Sequence, residues 1–94
     1  MNDAMSLCWA AYQGDLNEIR RLVAKGVDLN GEDYDGRTCL HLAAAEGKVD
    51  VVRFLLAKKV NITPQDRWKN TPIEEAKRSD HTDTVSLLQS HLGS

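Results

Sequence analysis

The sequence lacks the features that mark membrane-spanning, secreted and disulfide-stabilised proteins. Only two of its 94 residues are cysteine, Cys8 and Cys39, and they form no CxxC pair, so neither a disulfide framework nor a redox motif is expected. The apolar run over residues 49–56 is interrupted by Asp50 and Arg53 and is far shorter than the roughly 20 residues that a membrane span requires. No basic segment followed by an apolar one begins the chain, so we expect an intracellular, cytoplasmic protein.

Charge and composition narrow the classes of partner. The 14 acidic and 12 basic side chains leave a formal net charge of -2, which provides no positive field to attract nucleic acid or an anionic membrane. The chain is 41% hydrophobic and 28% charged, which is typical of a globular chain able to bury a core. Its length favours one domain over residues 1–94.

An internal repeat organises the chain. Apolar columns recur at one constant spacing without insertion or deletion: Leu7, Leu40 and Ile73; Ala10, Ala43 and Ala76; Leu22, Leu55 and Leu88. Many columns in phase indicate a repeated supersecondary unit with a repeated core. We expect repeat 1 over about residues 3–35, repeat 2 over about 36–68 and repeat 3 over about 69–94.

Each copy is predicted to form two helices and a polar turn. Thr38 and Thr71 precede the first helix and can cap it, and Pro72 suits the first helical position. Gly14 and Gly47 can adopt the left-handed conformation that ends a helix. A second helix follows with apolar residues at helical spacing. The turn after it is rich in Asp, Gly and Asn and is expected to project as a finger.

The middle copy resembles the ankyrin repeat family. Residues 38–44, Thr-Cys-Leu-His-Leu-Ala-Ala, are similar to the ankyrin signature, and the spacing of the columns equals the ankyrin period. Residues 5–8, Glu74 and Asp80 depart from that pattern in the end copies, where one face meets water. The resemblance implies an all-α solenoid of three helix-turn-helix repeats with projecting β-turn fingers. It also implies a non-catalytic module that binds another protein.

A second resemblance concerns particular proteins that contain ankyrin repeats. Residues 33–38, 43–47 and 66–72 are similar to the C-terminal ankyrin region of animal-type glutaminases, and similar segments occur in plant potassium channels and plant ankyrin-kinases. The glutaminase resemblance implies an accessory or assembly domain of an enzyme that converts glutamine to glutamate and ammonia, with a mitochondrial location. That family's catalytic domain uses a Ser-x-x-Lys nucleophile, and no serine here has lysine three residues later.

Residues that could suggest a reaction centre have simpler structural interpretations. His41 stands where ankyrin repeats use histidine to hydrogen-bond turn backbone, so we assign it to structure. Cys8 is its equivalent one repeat earlier, but equivalent points on stacked helices lie about 8–10 Å apart, beyond the ~3 Å that proton transfer needs. Cys39 with His41 supplies fewer ligands than zinc requires, and Glu74 and Glu75 point in different directions. We expect no catalytic residue, no cofactor and no metal.

Two aromatic residues are placed by their equivalents in other copies. Trp9 aligns with Leu42 in the second copy, a core position, and with Glu75 in the third, and of the two environments we expect the core. Phe54 aligns with Arg21 and Leu87, so we expect it at the edge of the second-helix surface, where an apolar patch could bind a partner.

The polar turns are the candidate partner-binding surface. Asp33 and Asp66 are common to both and are expected to brace the turns. The residues that vary are the binding candidates: Glu32, Tyr34, Asp35 and Arg37 in the first turn, and Gln65, Arg67, Trp68 and Asn70 in the second. We expect Tyr34 to lie beside Arg67 and Trp68, since aromatic and guanidinium groups are enriched at interface hot spots.

The charges of the turns suggest what the partner looks like. The first turn is acidic and the second more basic, so a protein partner of mixed charge is the natural complement. Three repeats are about the minimum for an isolated stack. Self-association, which would bury part of the surface against another copy, therefore stays open.

Overall fold

The computed structural model describes residues 3–92, which form six α-helices in three consecutive pairs. Their bounds are α1 Asp3–Gln13, α2 Leu16–Ala24, α3 Cys39–Ala45, α4 Val49–Ala57, α5 Pro72–Arg78 and α6 Thr82–Leu92. Helix α1 packs on α3 and α3 on α5, while α2, α4 and α6 each pack on the first helix of their own pair. No strand occurs within residues 3–92. The predicted all-α stack of three helix-turn-helix units is confirmed.

One cluster of buried residues runs through all three pairs. Leu22, Leu55 and Leu88, which stand at equivalent positions of the three copies, are buried at 2%, 0% and 0% exposure and belong to this cluster. Burying a leucine side chain contributes about 1.5–3 kcal/mol. The repeated leucine column therefore joins neighbouring pairs into a shared core, as the repeat predicted.

Capping boxes begin the first helices of the second and third pairs. The Glu74 N–H donates to the Thr71 hydroxyl at 3.4 Å, and the Thr71 N–H donates to Glu74 Oε1 at 3.1 Å. Pro72 lies in the first turn of that helix. At α3, the Thr38 N–H donates to Nδ1 of His41 at 3.1 Å. Glu74 stands where the ankyrin pattern has histidine, and it accepts the N–H of the capping threonine as His41 does.

A left-handed residue follows the first helix of every pair. Gly14, Gly47 and Asp80 occupy equivalent positions and have φ of 75°, 67° and 60°. Glycine adopts this conformation without steric cost, and aspartate is among the few other residues that visit it. At Gly47 space is also restricted, because a Cβ there would lie 2.6 Å from Nδ1 of His81. The His81 ring thus packs directly on the backbone of the preceding repeat.

The prediction that Trp9 belongs to the core is wrong. Its side chain is 54% exposed and stacks on Tyr12 with ring centroids 5.6 Å apart and an interplanar angle of 13°. The equivalent Leu42 is itself only partly buried at the margin of the core. Among the described helices, α1 has a first-helix neighbour, α3, on one side only. The Trp9 indole is larger than the Leu42 side chain and has fewer neighbouring helices to cover it, so it extends into solvent.

Phe54 lies at the edge of the second-helix surface, as the sequence suggested. It is partly buried against the core, and the Arg20 and Lys58 cations lie 5.8 Å and 5.5 Å from its ring centroid. These two side chains cover part of the ring, which reduces the apolar surface that it offers to a partner.

Replacing Gly47 by alanine should lower the free energy of unfolding more than the same change at Gly26. Both glycines have positive φ, so both variants carry the cost of a left-handed residue, about 1–2 kcal/mol. Only Gly47 also forces a clash with His81, since nothing lies within 4 Å of a Cβ at Gly26. Overpacking adds about 1–3 kcal/mol. Urea denaturation measures both losses, and equal losses would contradict the packing role of His81.

Candidate partner-binding surface

The two fingers are the same braced turn. In the first, Asp33 Oδ1 accepts the backbone N–H groups of Asp35 at 2.8 Å and Arg37 at 3.0 Å. Asp66 repeats this arrangement in the second finger, with both distances at 2.9 Å. The N–H of each aspartate also donates to the carbonyl four residues on, at 2.9 Å and 3.0 Å. The predicted bracing role of the two aspartates is confirmed.

The two fingers are also joined to each other. The Arg67 N–H donates to the Asp35 carbonyl at 2.8 Å, and Arg67 Nη1 lies 3.4 Å from Asp35 Oδ1. The ion pair is exposed and contributes about 0–1 kcal/mol, so the backbone bond sets the spacing. A Cβ at Gly36 would lie 3.3 Å from the Arg67 nitrogen. Glycine at that position, with φ of 75°, therefore permits the close approach of the fingers.

Side chains of the first helices tie each repeat to the finger that follows. Because His41 Nδ1 accepts the Thr38 N–H, the ring proton resides on Nε2, which donates to the Asn70 carbonyl at 2.7 Å. Cys8, its equivalent one repeat earlier, donates from Sγ to the Arg37 carbonyl at 3.6 Å. An imidazole N–H is the stronger donor of the two. The structural role predicted for His41 is confirmed, and Cys8 performs a weaker version of it.

Both cysteine thiols are buried and free. Burial, with a smaller contribution from the Asp33 carboxylate, raises the pKa of Cys8 to about 12. Burial and then the charge of Cys8 raise the pKa of Cys39 to about 12, and its thiol donates to the Leu29 carbonyl at 3.4 Å. The thiolate is the nucleophile and the metal ligand. Both residues are therefore held in an unreactive form.

The eight predicted binding residues all lie on the fingers and differ in exposure. Tyr34 is 84% exposed and Trp68 is 54% exposed. Three polar residues are also exposed: Glu32, Gln65 and Arg67. Three are partly buried: Asp35, Arg37 and Asn70. The partly buried residues contribute backbone groups to the turns and hold the exposed ones in place.

Two guanidinium groups contact the Trp68 ring. The Arg37 and Arg67 Cζ atoms lie 5.4 Å and 5.2 Å from its ring centroid. A cation-π contact at an exposed site contributes about 0.5–1 kcal/mol, so the two contacts favour this position of the indole. Arg67 therefore contacts the indole of its neighbour Trp68, and Arg37 supplies a second cation at the ring.

The structure adds two notches that the sequence analysis missed. One, of about 310 Å³, opens between α1, α3 and the first finger and is lined by Met5, Cys8, Trp9, Tyr12, Asp33 and Leu42. The other, of about 340 Å³, lies beside α5 and is lined by Arg37, Trp68, Asn70, Glu75 and Arg78. Trp9 and Tyr12 are equivalent to Glu75 and Arg78 two repeats later. The surface between helices and fingers therefore changes from aromatic to charged along the stack.

Two findings bear on metals and membranes. Among residues 3–92, no group of three or more His, Cys, Asp or Glu side chains could hold a metal ion. None of the helices in that range is long and apolar enough to cross a membrane.

Stacked helix pairs that share one core and carry braced turns define a helical-repeat solenoid. A sequence profile described as ankyrin repeats (3 copies) matches residues 5–94. The chain belongs to the ankyrin repeat family, as its signature segment indicated. An ankyrin repeat region is a non-catalytic module whose general role is to bind proteins.

Several curated relatives are larger proteins that contain a similar region. The chain is 48% identical to the mitochondrial liver isoform of glutaminase from Rattus norvegicus, over 93% of this chain and 15% of that protein. It is 38% identical to the potassium channel SKOR of Arabidopsis thaliana, over 94% of this chain and 11% of the channel. It is 40% identical to the serine/threonine-protein kinase VIK of the same plant, over 93% of this chain and 20% of the kinase. The resemblances to all three classes are confirmed, and the chain spans a fifth or less of each.

Replacing His41 by alanine should lower the free energy of unfolding by about 2–4 kcal/mol. The change removes the Nε2–H donor from the Asn70 carbonyl, which keeps the Asp66 N–H, and leaves the Thr38 N–H without its acceptor. It also opens a cavity at a residue that is 1% exposed. Glu74→Ala is the matched variant, because it removes only a local cap worth about 0.5–2 kcal/mol. Urea titration followed by far-UV circular dichroism compares them. A smaller loss for His41→Ala would refute the bridging role.

The thiols of the folded protein should react with iodoacetamide about a thousandfold more slowly near pH 8 than those of the urea-unfolded chain. The pKa of both rises from 9.0 to about 12, which leaves about a thousandfold less thiolate. As the pH rises, the thiols of the unfolded chain lose their protons before those of the folded chain. The contribution of the two buried thiols to the free energy of unfolding is therefore complete below pH 9.0 and is lost as pH rises towards 12. Mass spectrometry of labelling time courses measures both rates, and rapid labelling of the folded chain would contradict the assignment.

Proposed function

We propose that this chain is a protein-protein interaction module that binds its partner through the finger tips and the concave surface beside the first helices. The main support for this proposal is Trp68, which is 54% exposed and whose ring is contacted by the guanidinium groups of Arg37 and Arg67. Tryptophan, tyrosine and arginine are the residues enriched at binding hot spots. Ordering them before association lowers the entropic cost of binding.

The proposed contact site consists of the eight finger residues: Glu32, Tyr34, Asp35, Arg37, Gln65, Arg67, Trp68 and Asn70. Hydrogen bonds to Asp33 and Asp66 fix the turns, and the backbone bond from Arg67 to Asp35 fixes their spacing. Such a rigid pair of turns suits a protein surface better than a small molecule. Its carboxylates and guanidinium groups favour a partner of mixed charge.

We also propose that the module is an accessory or assembly domain of a larger protein, with a glutaminase as the first candidate. The 48% identity to the liver isoform of that enzyme supports this parentage. Hydrolysis of glutamine to glutamate and ammonia would then reside elsewhere in the parent protein, and the location would be mitochondrial. A plant-type channel or kinase is the next candidate, supported by the 38% and 40% identities. A second copy of the chain is a candidate partner in either setting.

The double variant Tyr34→Ala/Trp68→Ala should reduce partner binding by about 30-fold or more, which is the loss typical of hot-spot residues. The tagged chain is used to capture proteins from mitochondrial and cytosolic extracts, with quantitative mass spectrometry as the readout. Each captured protein is then purified and its Kd measured by calorimetry.

The matched control for this experiment is Arg53→Ala/Gln89→Ala, which truncates two exposed side chains on the second helices. Circular dichroism verifies that all variants are folded. If the finger variant and the control retain the same partners with the same affinity, the fingers are not the binding surface.

A further inference from the structure

We propose that the notch between α1, α3 and the first finger binds an arginine side chain of the partner protein. This aromatic notch is the one lined by Met5, Cys8, Trp9, Tyr12, Asp33 and Leu42. The inference rests on the proposed function, because it assigns a chemical identity to one residue of the protein that the module would bind.

The walls of the aromatic notch suit a long side chain with an apolar stem. Trp9 and Tyr12 stack with centroids 5.6 Å apart and are 54% and 42% exposed. Leu42 continues this apolar surface at the margin of the core. Two exposed aromatic rings side by side are unusual on a free surface, and their burial would favour association. Methylene groups of a partner side chain would cover this surface.

The charge at the rim of the aromatic notch favours a cation. Asp33 lines it, and the Oδ1 atom of this carboxylate accepts two backbone N–H groups. None of the six lining residues is a cation. A neutral apolar side chain would bury the negative charge of this carboxylate without a counter-charge, at a substantial cost. An acidic side chain would be repelled by Asp33 and by the neighbouring Glu32.

Nearby arginines are already engaged elsewhere. The guanidinium of Arg37, four residues from Asp33, lies over the Trp68 ring at 5.4 Å from its centroid. Arg21, which lies on the other side of Trp9, is paired with Glu18. Arg67 is paired with Asp35 of the first finger. The Asp33 charge therefore remains for a group that comes from outside the chain.

Arginine matches the aromatic notch better than lysine. A planar guanidinium can stack on an aromatic face while it donates to a carboxylate, whereas an ammonium is a compact and strongly hydrated charge. The chain itself contains a guanidinium-indole pairing at the second finger, where the Arg37 and Arg67 Cζ atoms lie 5.4 Å and 5.2 Å from the Trp68 ring centroid. At the aromatic notch the rings and the carboxylate are present, and the partner would supply the guanidinium.

The test follows the indole N–H signals of the whole chain by NMR during titration with acetyl-Gly-Arg-Gly-amide. The chain has two tryptophans, so Trp9 reports on the aromatic notch and Trp68 on the second finger. The comparison peptide contains citrulline, which has the shape of arginine without its charge. We expect a Kd in the millimolar range at the Trp9 signal and one at least about fivefold weaker for the citrulline peptide.

Two variants with the same charge change make the test specific. Asp33→Asn keeps the oxygen that braces the turn and removes the charge, so it should abolish the preference for arginine over citrulline. Asp50→Asn, on the exposed surface of α4, should leave that preference unchanged. The spectra also show that each variant is folded.

The inference is overturned if the Trp9 signal does not respond, if it responds equally to both peptides, or if the preference survives in Asp33→Asn. None of these outcomes depends on Tyr34 or Trp68, which carry the capture experiment. Loss of captured partners in the finger variant together with an unresponsive Trp9 would leave the binding module intact and remove the arginine site alone.

Discussion

The apolar contact between consecutive helix pairs is the constraint on which the rest of the molecule depends. A pair of short helices cannot bury its apolar stripe alone, so each pair is completed by its neighbour. Leu22, Leu55 and Leu88 lie in one buried cluster, and their constant spacing places every other group in register. Because the pairs are in register, the two fingers leave the stack at equivalent points and can touch each other. The surface is extended and rigid without any contribution from strands or a disulfide among residues 3–92.

Hydrogen bonds from buried side chains carry this register outwards to the fingers. His41 joins the first turn of its own helix to the Asn70 carbonyl at the base of the next finger. Cys8 makes a weaker bond of the same kind one repeat earlier. The finger tips therefore stand on the core rather than on loose loops. This support allows an exposed indole such as Trp68 to have a defined position, which is what a binding residue requires.

Much of the fold could be predicted from the sequence, because the period, the caps and the left-handed positions are local signals. The bracing roles of Asp33 and Asp66 followed from turn chemistry in the same way. The position of Trp9 did not follow, since alignment with Leu42 does not show how many neighbours cover each copy. The second cation at Trp68 was also missed, because it depends on where the long Arg37 side chain turns in space. Alignment identified the variable finger residues, whereas the aromatic notch required the packing of two helices and a turn.

Native-state hydrogen exchange of the wild type and Leu55→Ala tests the shared interior most directly. Truncating this fully buried leucine removes about 2–5 kcal/mol of stability. If the pairs form one cooperative unit, protected amides in α2, α4 and α6 lose protection by the same free energy. Loss of protection confined to α4, with α2 and α6 unchanged, would show that the pairs are stable independently and would contradict the account.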